Sequence, residues 1–222
     1  MSKRIELDFS RKYDEEHARK YLRKHKDGLA RRLSDRRDKQ LARRALALAG
    51  EPGLVLDLPC GAGRFWPLLA EKANRVIIGA DNSAAMVATA CESQPAEVVS
   101  RVRPLQTSAF AIDMPDNAVD SIFCMRLLHH VGKAQDRAVL LKEFHRVTRD
   151  SVIISLWVDG NFKAWKRKRA ESKRHQEGYQ NRFVLPVATV EAEFEQAGFR
   201  IQERLDFLPL YAMWRVYLLR KR

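Results

Sequence analysis

Two carboxylates and a pair of glycines stand out by type and spacing. The run Val55-Leu56-Asp57-Leu58-Pro59-Cys60-Gly61-Ala62-Gly63-Arg64 joins an apolar stretch to a GxG pair, and Asp81 closes a second apolar stretch 18 residues beyond Gly63. Glycines in such a loop let a ligand approach the backbone, and the N-terminus of the following helix attracts an anionic group. A carboxylate at the end of the next strand accepts hydrogen bonds from ribose hydroxyls. The dinucleotide pattern GxGxxG is incomplete, because Trp66 stands at its third glycine. A tryptophan is expected to obstruct the close helix–strand packing that this glycine permits. Asp57, directly before the loop, repels a diphosphate. The set suits a ligand with an ammonium for Asp57, a carboxylate for the loop N–H groups and a ribose for Asp81.

S-adenosylmethionine carries these three groups. Simpler roles compete: Gly61 and Gly63 as turn glycines, and Asp81 as the cap of the next helix, which Ser83 offers equally. Cys60 reads as a small packing residue, with no partner group to make it a nucleophile.

The elements that must position these residues alternate. Gly53–Asp57 and Arg75–Ala80 read as strands, with helices at about Phe65–Lys72 and Ala84–Cys91. Val119–Met125 and Ser151–Val158 are further strands, separated by a helix at about 135–147. Such alternation implies parallel strands joined by right-handed crossovers, hence an α/β, doubly wound sheet. A helix at 189–197 and two strands at 200–207 and 214–219 then predict an antiparallel C-terminal hairpin at the sheet edge. Before the core, residues 14–27 and 29–49 read as helices, the first half of the second being charged and therefore exposed. The chain divides into a basic N-terminal helical cap (1–50), a ligand-binding core (51–160), a basic insert or lid (161–185), and a helix with strand pair completing the same domain (186–222).

The sequence resembles the class I S-adenosylmethionine-dependent methyltransferases, well over about residues 50–160 and loosely in the tail. Asp57, Leu58, Cys60, Gly61 and Gly63 match the family's first motif, with Pro59 replacing its first glycine. Asp81-Asn82-Ser83 with Met86, Ala111–Pro115, Val119-Asp120, Leu127–Val131 and Gln196–Phe199 resemble its later segments in order. The resemblance implies a Rossmann-like fold of the small-molecule methyltransferase type. It implies a cofactor site of Asp57, Cys60, Gly61, Gly63, Asp81, Asn82, Met86, Phe110, Ala111 and Arg126. Phe110 stands where the family often has Asp and is expected to pack on the adenine, leaving polar recognition to backbone or Asp113. Arg126 binds an acidic group or pairs with an internal carboxylate.

Methyl transfer from a sulfonium is an in-line displacement, so positioning supplies much of the acceleration. A base is needed only for a hydroxyl or a protonated amine. His129 and His130 follow the predicted strand Val119–Met125, where either is a candidate base, with packing or capping as the competing role. Tyr13, Tyr21 and Tyr179 are candidates for the acceptor pocket.

The chain carries a formal net charge of +13, unevenly spread. Residues 1–50 carry +8 and residues 161–177 carry +5, whereas 51–160 carry −2. The basic attachments suit an anionic metabolite or lipid-linked acceptor, methylated on O or N. RNA is the alternative, and a non-catalytic S-adenosylmethionine-binding scaffold the third reading. No apolar run approaches the ~20 residues of a membrane span. The charged N-terminus predicts no secretory leader, and three cysteines without a CxxC pair fit a cytoplasmic protein. No metal-ligand spacing is apparent.

Overall fold

The computed structural model describes Ile5, residues 28–171 and residues 181–222. Helix α1 (Leu29–Leu48) leads into β1 (Leu54–Asp57), α2 (Trp66–Leu69), β2 (Val76–Asp81), α3 (Ala84–Ser93), α4 (Ala96–Val99) and β3 (Val102–Gln106). Then come β4 (Val119–Cys124), a 3-10 turn (Leu128–His130), α5 (Ala134–Val147), β5 (Thr148–Trp157) and α6 (Phe162–Glu171). The described chain closes with α7 (Val187–Gln196), β6 (Phe199–Asp206) and β7 (Trp214–Lys221). The predicted helix at 14–27, Tyr13, Tyr21 and Tyr179 lie outside the described residues.

The strands form one seven-stranded sheet in the order β3-β2-β1-β4-β5-β7-β6. Neighbours from β3 to β5 are parallel, and β7 runs antiparallel between β5 and β6. The expected doubly wound sheet with an antiparallel C-terminal hairpin is therefore present. Alternate residues of each central strand feed two cores. Leu56, Ile122, Val152 and Tyr217 face α5 and α7, whose Phe144 and Phe194 complete that layer. Val55, Phe123, Ile153 and Leu218 face the other side, with Trp66 of α2 and Leu41, Ala42, Ala45 and Leu46 of α1. Burial on both faces explains why these strands read as apolar runs.

Three features depart from the sequence reading. β3 was not expected, since Pro104 interrupts it; it is an edge strand, where a missing N–H is tolerated. The charged half of α1 is not simply exposed, for Asp38 is buried, only 4% exposed. Trp66 does not obstruct helix–strand packing. It is fully buried, and glycines at 63 and 79 give its indole room.

Candidate active site

Strand order reverses between β1 and β4, and ligands of such sheets bind beyond the carboxyl ends of the strands at that point. Asp57 ends β1 and Asp81 ends β2, so the sheet brings the two carboxylates to this edge. The loop between β1 and α2 is tied to β2 by Cys60 N–H donating to the Ala80 carbonyl at 2.7 Å. The Leu58–Pro59 peptide is cis. Gly61 has φ +53° and open space where a side chain would stand, so a ligand can reach its backbone. Gly61 N–H donates to Asp81 Oδ2 at 3.0 Å, and Ser83 N–H to Oδ1 at 2.9 Å. Ser83 is the helix cap, accepting from Met86 N–H.

Asp57 is 1% exposed, and neither carboxylate oxygen has a hydrogen-bond partner. Burial first, then the nearby Asp81 charge, pushes its carboxyl well up. The Trp66 indole N–H draws it down, yet closes no well-formed hydrogen bond. An orphaned buried carboxylate is costly and calls for a cationic partner. The ligand ammonium expected from the sequence would supply one. Asp81 is likewise pushed up by burial, while backbone N–H groups hold it down.

The remaining residues predicted for the cofactor lie on the β1 loop, after β2, in α3 and after β3. Cys60 is buried with its thiol pushed up by burial, the state of a packing residue. Asn82 is half-buried, and its carbonyl accepts from Gln106 at 3.3 Å. Met86 is buried behind the loop in α3. Thr107 N–H donates to the Asp81 carbonyl at 3.0 Å, fixing the following segment beside the end of β2. In that segment Phe110 is half-buried against the core and Ala111 is exposed, with its N–H on the Ser108 carbonyl. Asp113 is exposed.

Arg126 follows β4 with φ +66°, a conformation uncommon outside glycine. Its N–H donates to Ser155 Oγ at 2.8 Å. Its guanidinium pairs with Asp38 of α1 and lies 4.5 Å from the Trp214 ring centroid. Asp38 also accepts from Arg64 at 2.7 Å, and Arg64 reaches Asp35 at 2.7 Å. One helix thus clamps both the glycine loop and the end of β4. Sequence reasoning missed Asp38 and Arg64. The available signal was the i, i+3, i+4, i+7 series Asp38-Leu41-Ala42-Ala45, which puts Asp38 on the apolar face.

His129 is 4% exposed, its ring 5.0 Å from Trp157 and 4.8 Å from Trp214. Burial, reinforced by His130, Arg182, Arg126 and Arg167, holds its pKa down to about 2. Its Nδ1 is buried without a partner. This is the setting of a neutral packing imidazole. His130 is half-buried, with Nδ1 2.5 Å from the Asn181 carbonyl. That carbonyl requires the proton on Nδ1 and places the lone pair on Nε2. Burial lowers its pKa, opposed by this hydrogen bond. Arg167 and Arg182 lie 5.1 and 5.8 Å from the Trp157 ring centroid. Among the described residues no cluster of His, Cys, Asp or Glu can hold a metal ion. No described helix is long and apolar enough to cross a membrane.

The chain has the fold of the class I S-adenosylmethionine-dependent methyltransferases. Residues 55–151 match the family model described as a methyltransferase domain. Magnesium protoporphyrin IX methyltransferase from Synechocystis PCC 6803, solved with bound S-adenosylmethionine, is 15% identical with TM-score 0.70 over 100% of each chain. An S-adenosylmethionine-dependent methyltransferase from Aquifex aeolicus is 20% identical with TM-score 0.65, covering 95% of this chain and 100% of that one. The [4+2]-cyclase SpnF is 18% identical with TM-score 0.60, covering 82% and 81%. These likenesses carry the fold. No curated protein matches the chain by sequence.

Proposed function

We propose that the enzyme methylates an O or N atom of a small or medium-sized anionic acceptor, a metabolite or a lipid-linked molecule. The observation that supports this reading is the gathering of Arg126, Arg167 and Arg182 around Trp157 and Trp214, at the carboxyl end of β5. Cations over aromatic faces offer an acid both charge and a flat apolar support.

S-adenosylmethionine, when bound, supplies an electrophilic methyl group. Asp57 would hold its ammonium, the N–H groups of the glycine loop its carboxylate, and Asp81 its ribose. Phe110 and Ala111 would border the adenine. The chain's own contribution is placement: Asp38 holds Arg64 and Arg126 in register, so the cofactor loop and the acceptor side share one anchor. His130 Nε2 takes the proton when the acceptor is a hydroxyl or a protonated amine.

The deciding experiment supplies labelled methyl donor to cell extract fractionated by charge and size. Label in anionic small molecules or lipids supports the reading. Label in RNA assigns the basic segments to the alternative acceptor. Absence of label from every fraction, with donor binding shown by calorimetry, assigns the chain to the scaffold reading.

A further inference from the structure

Most of the strongly exposed large apolar side chains of the described residues sit in one corner. Phe162 (49%), Trp165 (53%), Leu208 (47%), Leu210 (83%) and Tyr211 (47%) all belong to α6 or to the turn between β6 and β7. The corner is one unit. Phe162 N–H donates to the Leu210 carbonyl at 2.9 Å, and Lys163 N–H to the Tyr211 carbonyl at 3.1 Å. Phe162 stacks on Tyr211 at 5.9 Å between ring centroids and meets Trp165 at 5.8 Å. Leu210 is held outward at φ +61°.

Cations frame the apolar surface. The Lys163 ammonium lies 5.1 Å from the Tyr211 centroid and the Arg169 guanidinium 4.9 Å from the Trp165 centroid. Lys166 and Lys168 are exposed on the same helix. The flanking acids with described side chains are engaged, Asp159 by Val187 N–H at 3.0 Å and Asp206 by Arg215 at 2.6 Å. An open groove of about 540 Å³ runs beside the helix, bordered by Trp165, Lys168, Val184 and Leu210.

We propose that this corner docks the enzyme onto an anionic lipid bilayer. Leu210, Trp165 and Phe162 enter the boundary between headgroups and acyl chains, and Lys163, Lys166, Lys168 and Arg169 meet lipid phosphates. Tryptophan and long basic side chains suit this zone, because their apolar stems sink while their polar tips stay wet. Charge complementarity selects anionic lipid. Nucleic acid fits less well: the two leucines gain nothing from phosphates or base edges, and Phe162 and Tyr211 already occupy one another's faces. α6 leaves the carboxyl end of β5, so docking brings the acceptor side of the enzyme to the bilayer. The proposal holds whether the acceptor is a lipid or a soluble acid.

The test is cosedimentation of the full chain with phosphatidylcholine vesicles, with and without phosphatidylglycerol. Binding is expected only to the anionic vesicles, weakening as salt rises. Leu210→Asn keeps a residue suited to the left-handed backbone and is expected to lower partitioning about tenfold. Lys166→Gln and Lys168→Gln are expected to lower it about fivefold each. Melting curves like that of the parent confirm that these surface variants fold. No binding to anionic vesicles, or binding unchanged in Leu210→Asn and Trp165→Ala, overturns the proposal. Retention of RNA without vesicle binding, or self-association abolished by Leu210→Asn without vesicle binding, overturns it too and names the surface's other use.

Discussion

The indole of Trp66 fills the space left by the missing side chain of Gly79. A Cβ built on Gly79 would lie 2.3 Å from Cζ2 of that indole, and one on Gly63 would lie 2.9 Å from two of its carbons. Trp66 therefore fastens the glycine loop to β2. Gly79→Ala is expected to cost about 1–3 kcal/mol by overpacking. It should also weaken S-adenosylmethionine binding, since the indole can yield only by moving the loop. Urea melts and titration calorimetry on the same variant measure both effects. A parental melt and affinity would show that Trp66 does not hold the loop.

Asp57→Asn should separate stability from binding. Without ligand, the folded carboxyl is pushed up by burial, so the fold retains a proton that the unfolded chain releases. Stability is then fullest below the ordinary carboxyl range and falls as pH rises towards the folded value. The asparagine variant loses that fall and should be about 1–3 kcal/mol more stable at neutral pH. Its affinity for S-adenosylmethionine should drop at least tenfold, the order of a lost charged hydrogen bond. In the parent, donor binding should release a proton, visible as a dependence of calorimetric heat on the buffer's ionisation enthalpy.

His129 gives the opposite sign. Its pKa falls from 6.5 to about 2 in the fold, so the unfolded chain takes up a proton that the native state refuses. Stability is lost as pH drops below 6.5, by about 1.4 kcal/mol at pH ~5.5. His129→Phe preserves the ring packing and should flatten this acid limb in melts between neutral and acidic pH. If that variant also keeps its turnover, His129 serves packing; a turnover loss with an unchanged melt would give it a chemical role.

For His130 the expected signature is kinetic. Its depressed pKa leaves the imidazole neutral at pH ~7. The rate should be flat there and fall on an acid limb centred below 6.5. His130→Gln should lower kcat about 100-fold or more without moving the donor's Kd. A parental kcat in that variant removes His130 from the reaction.

Asp38→Ala removes the carboxylate shared by Arg64 and Arg126. Arg64 keeps Asp35, whereas Arg126 loses its only carboxylate among the described residues. A destabilisation of about 1–3 kcal/mol is expected from leaving the partly buried Arg126 without a carboxylate. If Arg126 serves the acceptor as proposed, the acceptor's KM should rise more than the donor's Kd.

What was legible in the sequence follows from locality. The β1 loop, β2 and the Ser83 cap are runs of adjacent residues whose types declare their geometry. The hairpin of β6 and β7 was readable because Gly198 stops the preceding helix and Pro209 falls in the connection between the two strands. β3 escaped because this edge strand buries only Val102 fully and carries Pro104, so no apolar run marks it. Asp38 was hidden by a charged neighbourhood that masked its place on the apolar face. Trp66 was misjudged because Gly79, 13 residues away, makes its room, and no local pattern records that pairing.

The position of β7 has a consequence for synthesis. Seven successive residues of β5, Ser151–Trp157, pair with Trp214–Arg220, which the ribosome adds nearly 60 residues later. Until then a long, apolar, unsatisfied strand edge stands open on a chain whose strands β1 to β4 can already pair with their neighbours. Such edges recruit strands from other chains. A ribosomal stall or nonsense codon between Trp157 and Trp214 should therefore yield aggregates, while the intact chain seals the same edge from within.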